Sequence, residues 1–456
     1  MNLISCILKN SEPETKWFLL MLNHEFHSYN EIKLTVSELS NCLGVSKDVV
    51  TKSCRYLVNF GALKQRPYKT AKNGFLNAYD IVINEESIDT IFPPLPQVKS
   101  NNNHVNLVTL LFTNKSNDFK EPRLKLANRL LLVVLLSHAD RCGVVRNLGM
   151  SDLVKLTGMT KDRLKSQLEK LSTTGYIRAT VSGVTGCYIF GVAKGMYWLN
   201  LKHENFKSHA YSGDMISIHK GHIYETNYDR TAGDIFFIAR RIMAINSKKL
   251  NWLSINKDLN VRSYLKEHYD TLFDIAYFFQ DSYASRIQHY LQVKLDEYAC
   301  FILSNHWEDM SNLDAKLTSK IDSDLFPSSL KLSYRKNDLS TTELKAKVVN
   351  FIHEMSRHIA RELKAHLELI DDLSIDSSSY IPICACDRGR DSAKFIIDIH
   401  YNTSKPSYIY RVKDEDLSKS KFSRNLESDF QVEEKYKYGL LTRPIQKEES
   451  WPQRKL

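Results

Sequence analysis

Ser37-Glu38-Leu39, Gly44-Val45-Ser46-Lys47-Asp48 and Gly61-Ala62-Leu63-Lys64 form a pattern that returns as Ser151-Asp152-Leu153, Gly158-Met159-Thr160-Lys161-Asp162 and Gly175-Tyr176-Ile177-Arg178. Every pair is separated by 114 residues, with no gap. The apolar positions inside the pattern also match: Val50 with Leu164, Cys54 with Leu168, Leu57 with Leu171. An ungapped repeat of this kind marks two copies of one structural unit.

Within each copy the residue types specify two helices joined by a tight turn. Ser37 and Ser151 are suited to cap a first short helix. Gly44 and Gly158 end it, because glycine tolerates the left-handed conformation a helix C-terminus requires. Ser46 and Thr160 cap a second helix whose apolar residues recur at i, i+4 and i+7. Its opposite face carries Lys47, Thr51, Lys52 and Arg55 in the first copy. In the second it carries Lys161, Lys165, Ser166 and Glu169, flanked by Arg163, Gln167 and Lys170. Gly61 and Gly175 end these helices. A hairpin is expected after each: 63–68 with 76–83 around Asn73-Gly74, and 177–181 with 187–192 around Ser182-Gly183 to Gly186. An apolar helix is expected before each, over 14–29 and 124–139.

Helix, helix-turn-helix, hairpin: this order resembles the winged helix-turn-helix family of DNA-binding domains over about residues 12–92 and 121–201. The resemblance implies that the second helix of each copy faces DNA bases and phosphates. It implies that Arg66, Lys69 and Lys72 in the first wing, and Arg178 at the base of the second, contact phosphate or the minor groove. The implied site is therefore Lys47, Thr51, Lys52, Arg55, Arg66, Lys69, Lys72, Lys161, Arg163, Lys165, Ser166, Gln167, Lys170 and Arg178. The tandem arrangement also resembles plasmid and mobile-element replication initiators, although those usually lack so long a C-terminal half.

Charge follows the same map. The 456-residue chain has 63 Lys+Arg against 53 Asp+Glu, a formal +10. Residues 120–200 hold 13 basic and 5 acidic residues, and residues 47–80 hold 7 and 2. Basic excess on a duplex-reading element is the signature of phosphate binding. Because the first copy as a whole is neutral, it is the expected candidate for a copy that has lost DNA binding.

The expected organisation is a first winged-helix domain at 1–92, a Pro- and Asn-containing linker at 93–120 and a second winged-helix domain at 121–203. A mostly helical assembly domain with a small strand region follows at 204–412, then a charged, loosely ordered tail at 413–456. The fold class is mainly α with small β-hairpins, α+β. Aromatics over 231–310 sit at helical spacing without interleaved bases, which favours a core over a base-stacking platform. Residues 341–370 form an amphipathic stripe of Leu344, Val348, Ile352, Met355, Ile359, Leu363 and Leu367, suited to internal packing or self-association.

Catalytic signatures are missing. His353-Glu354-Met355-Ser356-Arg357-His358 spaces its histidines by five, so they do not share a helix face as a zinc-protease pair does. No phosphate loop, dinucleotide fingerprint or nucleophile elbow is present. The Asp387-Arg388-Gly389-Arg390-Asp391 segment reads as a solvated turn, and Cys384-x-Cys386 alone is weak for metal. The chain has no signal-peptide pattern and no apolar run long enough to span a membrane. The expectation is a cytoplasmic, nucleoid-associated, non-enzymatic protein without cofactor or metal. Its partners are double-stranded DNA and a protein, or a second copy, held by the C-terminal half. Transcriptional regulation is the leading role; replication initiation and an adaptor role in a larger mobile-element or antiphage complex are the alternatives.

Overall fold

The structure is a computed structural model that describes residues 3–26, 31–69, 75–81, 91–95, 103–113, 124–146, 148–203, 205–206, 213–219, 230–246, 252–280, 284–311, 313–330, 340–370, 379–383, 395–400, 408–413, 422–426 and 431. The chain is mainly helical with small sheets, an α+β fold. It divides into two compact units, one built chiefly from residues 1–178 and 197–210, the other from 179–196 and 211–442.

The first unit begins with α1 (Pro13–Phe26), β1 (Glu31–Ile32), α2 (Val36–Leu43), α3 (Lys47–Asn59), β2 (Leu63–Lys69) and β3 (Phe75–Ile81). These strands form an antiparallel sheet of order β1-β3-β2. It continues with α4 (Val105–Thr113), α5 (Leu126–Ser137), β4 (Val144–Val145), α6 (Met150–Thr157), α7 (Lys161–Thr173) and β5 (Ile177–Val181). The short strands β6 (Val184–Thr185) and β7 (Val192–Ala193) belong to the second unit, and β8 (Met196–Leu199) completes a sheet of order β4-β8-β5.

Every residue from Leu130 to Leu136 in α5 is fully buried. A helix apolar all round needs neighbours on all sides, and α1, α4, α6 and α7 supply them. Each such side chain contributes about 1.5–3 kcal/mol when removed from water. Both copies of the repeat therefore share one core, where separate domains joined by a linker were expected. The expected linker contains α4, whose Leu107, Val108 and Leu111 face inward. Phe112 packs against Trp17 with ring centres 5.4 Å apart. The Pro- and Asn-rich composition of the preceding residues masked this apolar helical spacing.

The second repeat also departs from expectation after α7. The partner of β5 is not 187–192 but β8; Phe190 and Gly191 both adopt positive φ, at 69° and 54°, so no strand runs over 187–191 and Val192 belongs to the short β7.

The second unit holds β9 (Gly213–His219), α8 (Arg230–Asn246), α9 (Trp252–Val261), α10 (Ser263–Lys266), α11 (Tyr269–Ile275), α12 (Ala284–Asn305), α13 (Ala315–Leu325), α14 (Thr341–Leu367), β10 (Ser379–Ile383), β11 (Phe395–His400), β12 (Tyr408–Lys413) and β13 (Phe422–Leu426). Its sheet has the order β10-β11-β9-β12-β13, with β9 and β12 parallel and the other pairs antiparallel. The strand region is thus larger than expected, and β13 lies within the expected tail. The α14 stripe is buried along its whole length and packs against α12 and α13, so it is consumed internally and offers no self-association face. Phe236, Phe278, Phe279, Tyr290 and Tyr298 are likewise core residues. No helix among the described residues is long and apolar enough to cross a membrane.

Lys16 of α1 is fully buried, and its Nζ donates to Ile4 O at 2.9 Å and Cys6 O at 2.6 Å. Burial pushes its pKa from 10.5 down to about 7. Below pH 7 the folded and unfolded chains both carry this proton, and the cost of burying the charge is fully present. Between 7 and 10.5 the unfolded chain binds the proton and the folded one does not, so stability rises with pH. In urea titrations from pH 6 to 10, wild-type stability minus that of Lys16→Met is therefore expected to grow above pH 7, by at most about 1.4 kcal/mol per pH unit. A constant difference would show that Lys16 stays charged in the folded chain.

Candidate nucleic-acid interface

The residues picked out by the repeat sit on α3, β2 and α7. In the first copy the helix pair starts at Thr35, two residues before the expected cap. Thr35 Oγ1 accepts from Glu38 N at 3.1 Å while the Glu38 carboxylate accepts from Thr35 N at 2.7 Å. These bonds hold the Glu38 carboxyl below its usual pKa. In the second copy the cap is Gly149, whose N–H donates to the Asp152 carboxylate at 2.9 Å. An acid three residues into the helix fixes the start in both cases.

The turns agree closely. Gly44 and Gly158 have φ of 62° and 70°. Ser46 Oγ then accepts from Val49 N, and Thr160 Oγ1 from Arg163 N, each at 3.3 Å. Val50, Cys54 and Leu57 in α3 and Leu164, Leu168 and Leu171 in α7 are buried at matching positions. This burial turns the remaining face of each second helix to water.

On α3 the outward residues are Lys47, Thr51, Lys52 and Arg55, all exposed. Lys52 pairs with Asp48 at 3.0 Å, which raises its pKa. Thr51 Oγ1 donates to Lys47 O at 2.9 Å, leaving its oxygen as an acceptor. On β2, Lys64, Gln65 and Arg66 are exposed in sequence. Lys69 ends β2, and Lys72 lies outside the described residues. Lys64 was missed although the expected strand over 63–68 already places it on the same face as Arg66, two residues on.

The second copy is different. Lys161, Lys165 and Ser166 are exposed on α7. Arg163 instead forms an ion pair with Glu14 at the start of α1. Gln167 and Lys170 are half-buried. Arg178, expected to contact phosphate, is only 4% exposed inside β5. Two further arginines are also engaged by neighbouring groups. Arg129 lies over the Trp17 ring at 4.9 Å and bonds Leu111 O, and Arg146 pairs with Asp140. The large positive count over 120–200 thus overstates the charge that this copy exposes. In the first copy Lys47, Lys52, Arg55, Lys64 and Arg66 are all exposed, although that copy is neutral as a whole.

One side of the second hairpin packs within the second unit, while Ser182, Gly183, Thr185, Cys187 and Val192 stay exposed. Phe190 N donates to Leu325 O at 2.6 Å, and its ring meets Tyr290 edge-on at 4.9 Å. Tyr188 meets Tyr277 at 4.5 Å, and Tyr290 OH donates to Lys194 O at 3.2 Å. These contacts anchor one side of the hairpin and leave the other facing water.

The His353/His358 pair is separated as its spacing implies. His353 Nε2 accepts from Asp314 N at 3.4 Å, while His358 stacks on Tyr264 at 4.5 Å. Among the described residues no three His, Cys, Asp or Glu side chains converge as a metal site would require. Cys384, Cys386 and the Asp387–Asp391 turn lie outside the described residues.

Comparison with known protein families, with curated proteins and with solved structures finds no match to this chain.

The two turn glycines differ in their surroundings, which yields a measurable contrast. A Cβ on Gly44 would meet no described atom within 4 Å, whereas one on Gly158 would lie 2.8 Å from Ser11 O. Gly44→Ala is expected to cost only the left-handed strain, about 1–2 kcal/mol. Gly158→Ala adds overpacking of about 1–3 kcal/mol. Chemical denaturation midpoints read the difference, and equal losses would place Ser11 away from the turn.

Proposed function

We propose that the protein is a double-stranded DNA-binding protein with tandem winged helix-turn-helix domains, acting as a transcriptional regulator and not as an enzyme. The observation that carries the reading is the same construction made twice. A short helix ends on a left-handed glycine, a hydroxyl caps a second helix, and that helix buries one face and turns lysines outward. An exposed second helix with basic residues suits entry into the major groove, where phosphate contacts position it and base edges give specificity. In the first copy Lys64 and Arg66 on β2 extend the basic surface beyond α3.

A second reading is favoured by the paired or buried arginines and the anchored hairpin of the second copy. In it the first copy alone reads DNA, and the second holds a protein partner, as an adaptor subunit would.

Duplex binding measured over a range of salt separates the two. Lys47→Ala with Arg55→Ala is expected to weaken binding and to lower the log–log salt slope by about 0.9 per lost phosphate contact. Lys161→Ala with Lys165→Ala does the same if both copies read DNA, and leaves affinity and slope unchanged under the adaptor reading. Absence of duplex binding by the full chain, or unchanged slopes for both double variants, overturns the proposal.

A further inference from the structure

The loop that precedes α1 reaches the second helix of the first copy. Tyr56 of α3 donates its hydroxyl to Lys9 O at 2.7 Å. The Tyr56 ring stacks on Phe60 with centres 4.5 Å apart, which steadies the donor. The loop is pinned from within as well. Leu8 is buried, Ser11 Oγ donates to Leu8 O at 3.1 Å, and Asn10 takes a left-handed φ of 55°. Between Leu8 and Ser11, Lys9 and Asn10 are exposed.

Tyr56 lies one helical turn beyond Lys52, so the loop meets α3 on the Lys52 side of its basic face. The charges on this side are unequal. Asp48, at 3.0 Å, and then Glu12 of the loop raise the Lys52 pKa. Lys52 was expected to contact DNA, yet its charge is shared with two acids. Lys9 differs, because among the described residues its side chain makes no hydrogen bond or ion pair. A paired lysine must give up its partner before it meets a phosphate, whereas an unpaired one brings its full charge. The backbone of Lys9 is already fixed, so a contact costs only the freedom of its side chain.

Resting on the duplex-binding reading above, we propose that Lys9 is a phosphate contact of the first copy, and that Tyr56 is the positioning residue that holds it beside α3. The ligand is the sugar–phosphate backbone and not a base edge. A lysine ammonium is a point charge on a flexible stem, and Lys9 stands on a loop outside the helix suited to the groove. The contact is therefore independent of sequence, and any duplex reads it.

The test measures binding of the full-length chain to a mixed-sequence duplex over a range of salt. Lys9→Ala is expected to weaken binding and to lower the log–log slope by about 0.9, the loss of one phosphate contact. Lys9→Arg keeps the slope, since the charge remains. Lys257→Ala removes an exposed charge from α9 of the second unit and leaves the slope as it is, which separates a contact from a change in net charge. Tyr56→Phe keeps the ring and loses the hydroxyl. It is expected to weaken binding in the wild-type chain and to have no further effect in the Lys9→Ala chain, a non-additivity that a merely structural role would not produce. A slope unchanged by Lys9→Ala, or lowered equally by Lys257→Ala, overturns the contact while leaving duplex binding intact. Equal effects of Tyr56→Phe with and without Lys9 overturn the positioning role. If the unaltered chain binds no duplex, the DNA-binding reading itself falls, and this contact with it.

Discussion

The first unit depends on taking Leu130 to Leu136 out of water. A helix with no polar face cannot stand at a surface, so α5 must be enclosed by its neighbours on every side. Its own copy supplies α6 and α7, and α1 and α4 supply the remainder. Burial of one helix thereby joins the two halves of the repeat into a single body. The other features at this junction, from the Arg129–Trp17 contact to the Glu14–Arg163 pair, are fitted around it.

That junction also redistributes charge. Arginine suits internal use, because its planar fork satisfies several acceptors and its face stacks on aromatic rings. Arg129, Arg146, Arg163 and Arg178 are all placed in this way or buried in a strand. Lysine tolerates burial poorly, and Lys155, Lys161 and Lys165 remain at the surface. A count of formal charges treats the two residue types alike and so finds more exposed positive charge in the second copy than it presents.

Local features were legible in the sequence because they rest on local chemistry. The turn glycines, the Ser46 and Thr160 caps, the buried faces of α3 and α7 and the α14 stripe follow from residue type and spacing. Helix starts at Thr35 and Gly149 were shifted because the decisive acids, Glu38 and Asp152, act from three residues downstream. What was not legible depended on distant partners. Nothing near Arg163 announces Glu14, and nothing near Phe190 announces Leu325. The strand pairing of β5 with β8 was missed for the same reason, since the intervening loop contains a plausible but unused strand. Strand β9 was missed because its neighbours β11 and β12 come long after it in sequence.

That last separation has a consequence for how the chain acquires its shape. β9 is the middle strand of its sheet, yet β11, which pairs Asp398 with Met215, is synthesised about 180 residues later. Pairings of such span close late, after shorter-range helices have formed. Until then β9 has both edges open and its apolar residues Met215, Ile216 and Ile218 uncovered. During synthesis this segment is thus open to premature strand pairing until its partners emerge.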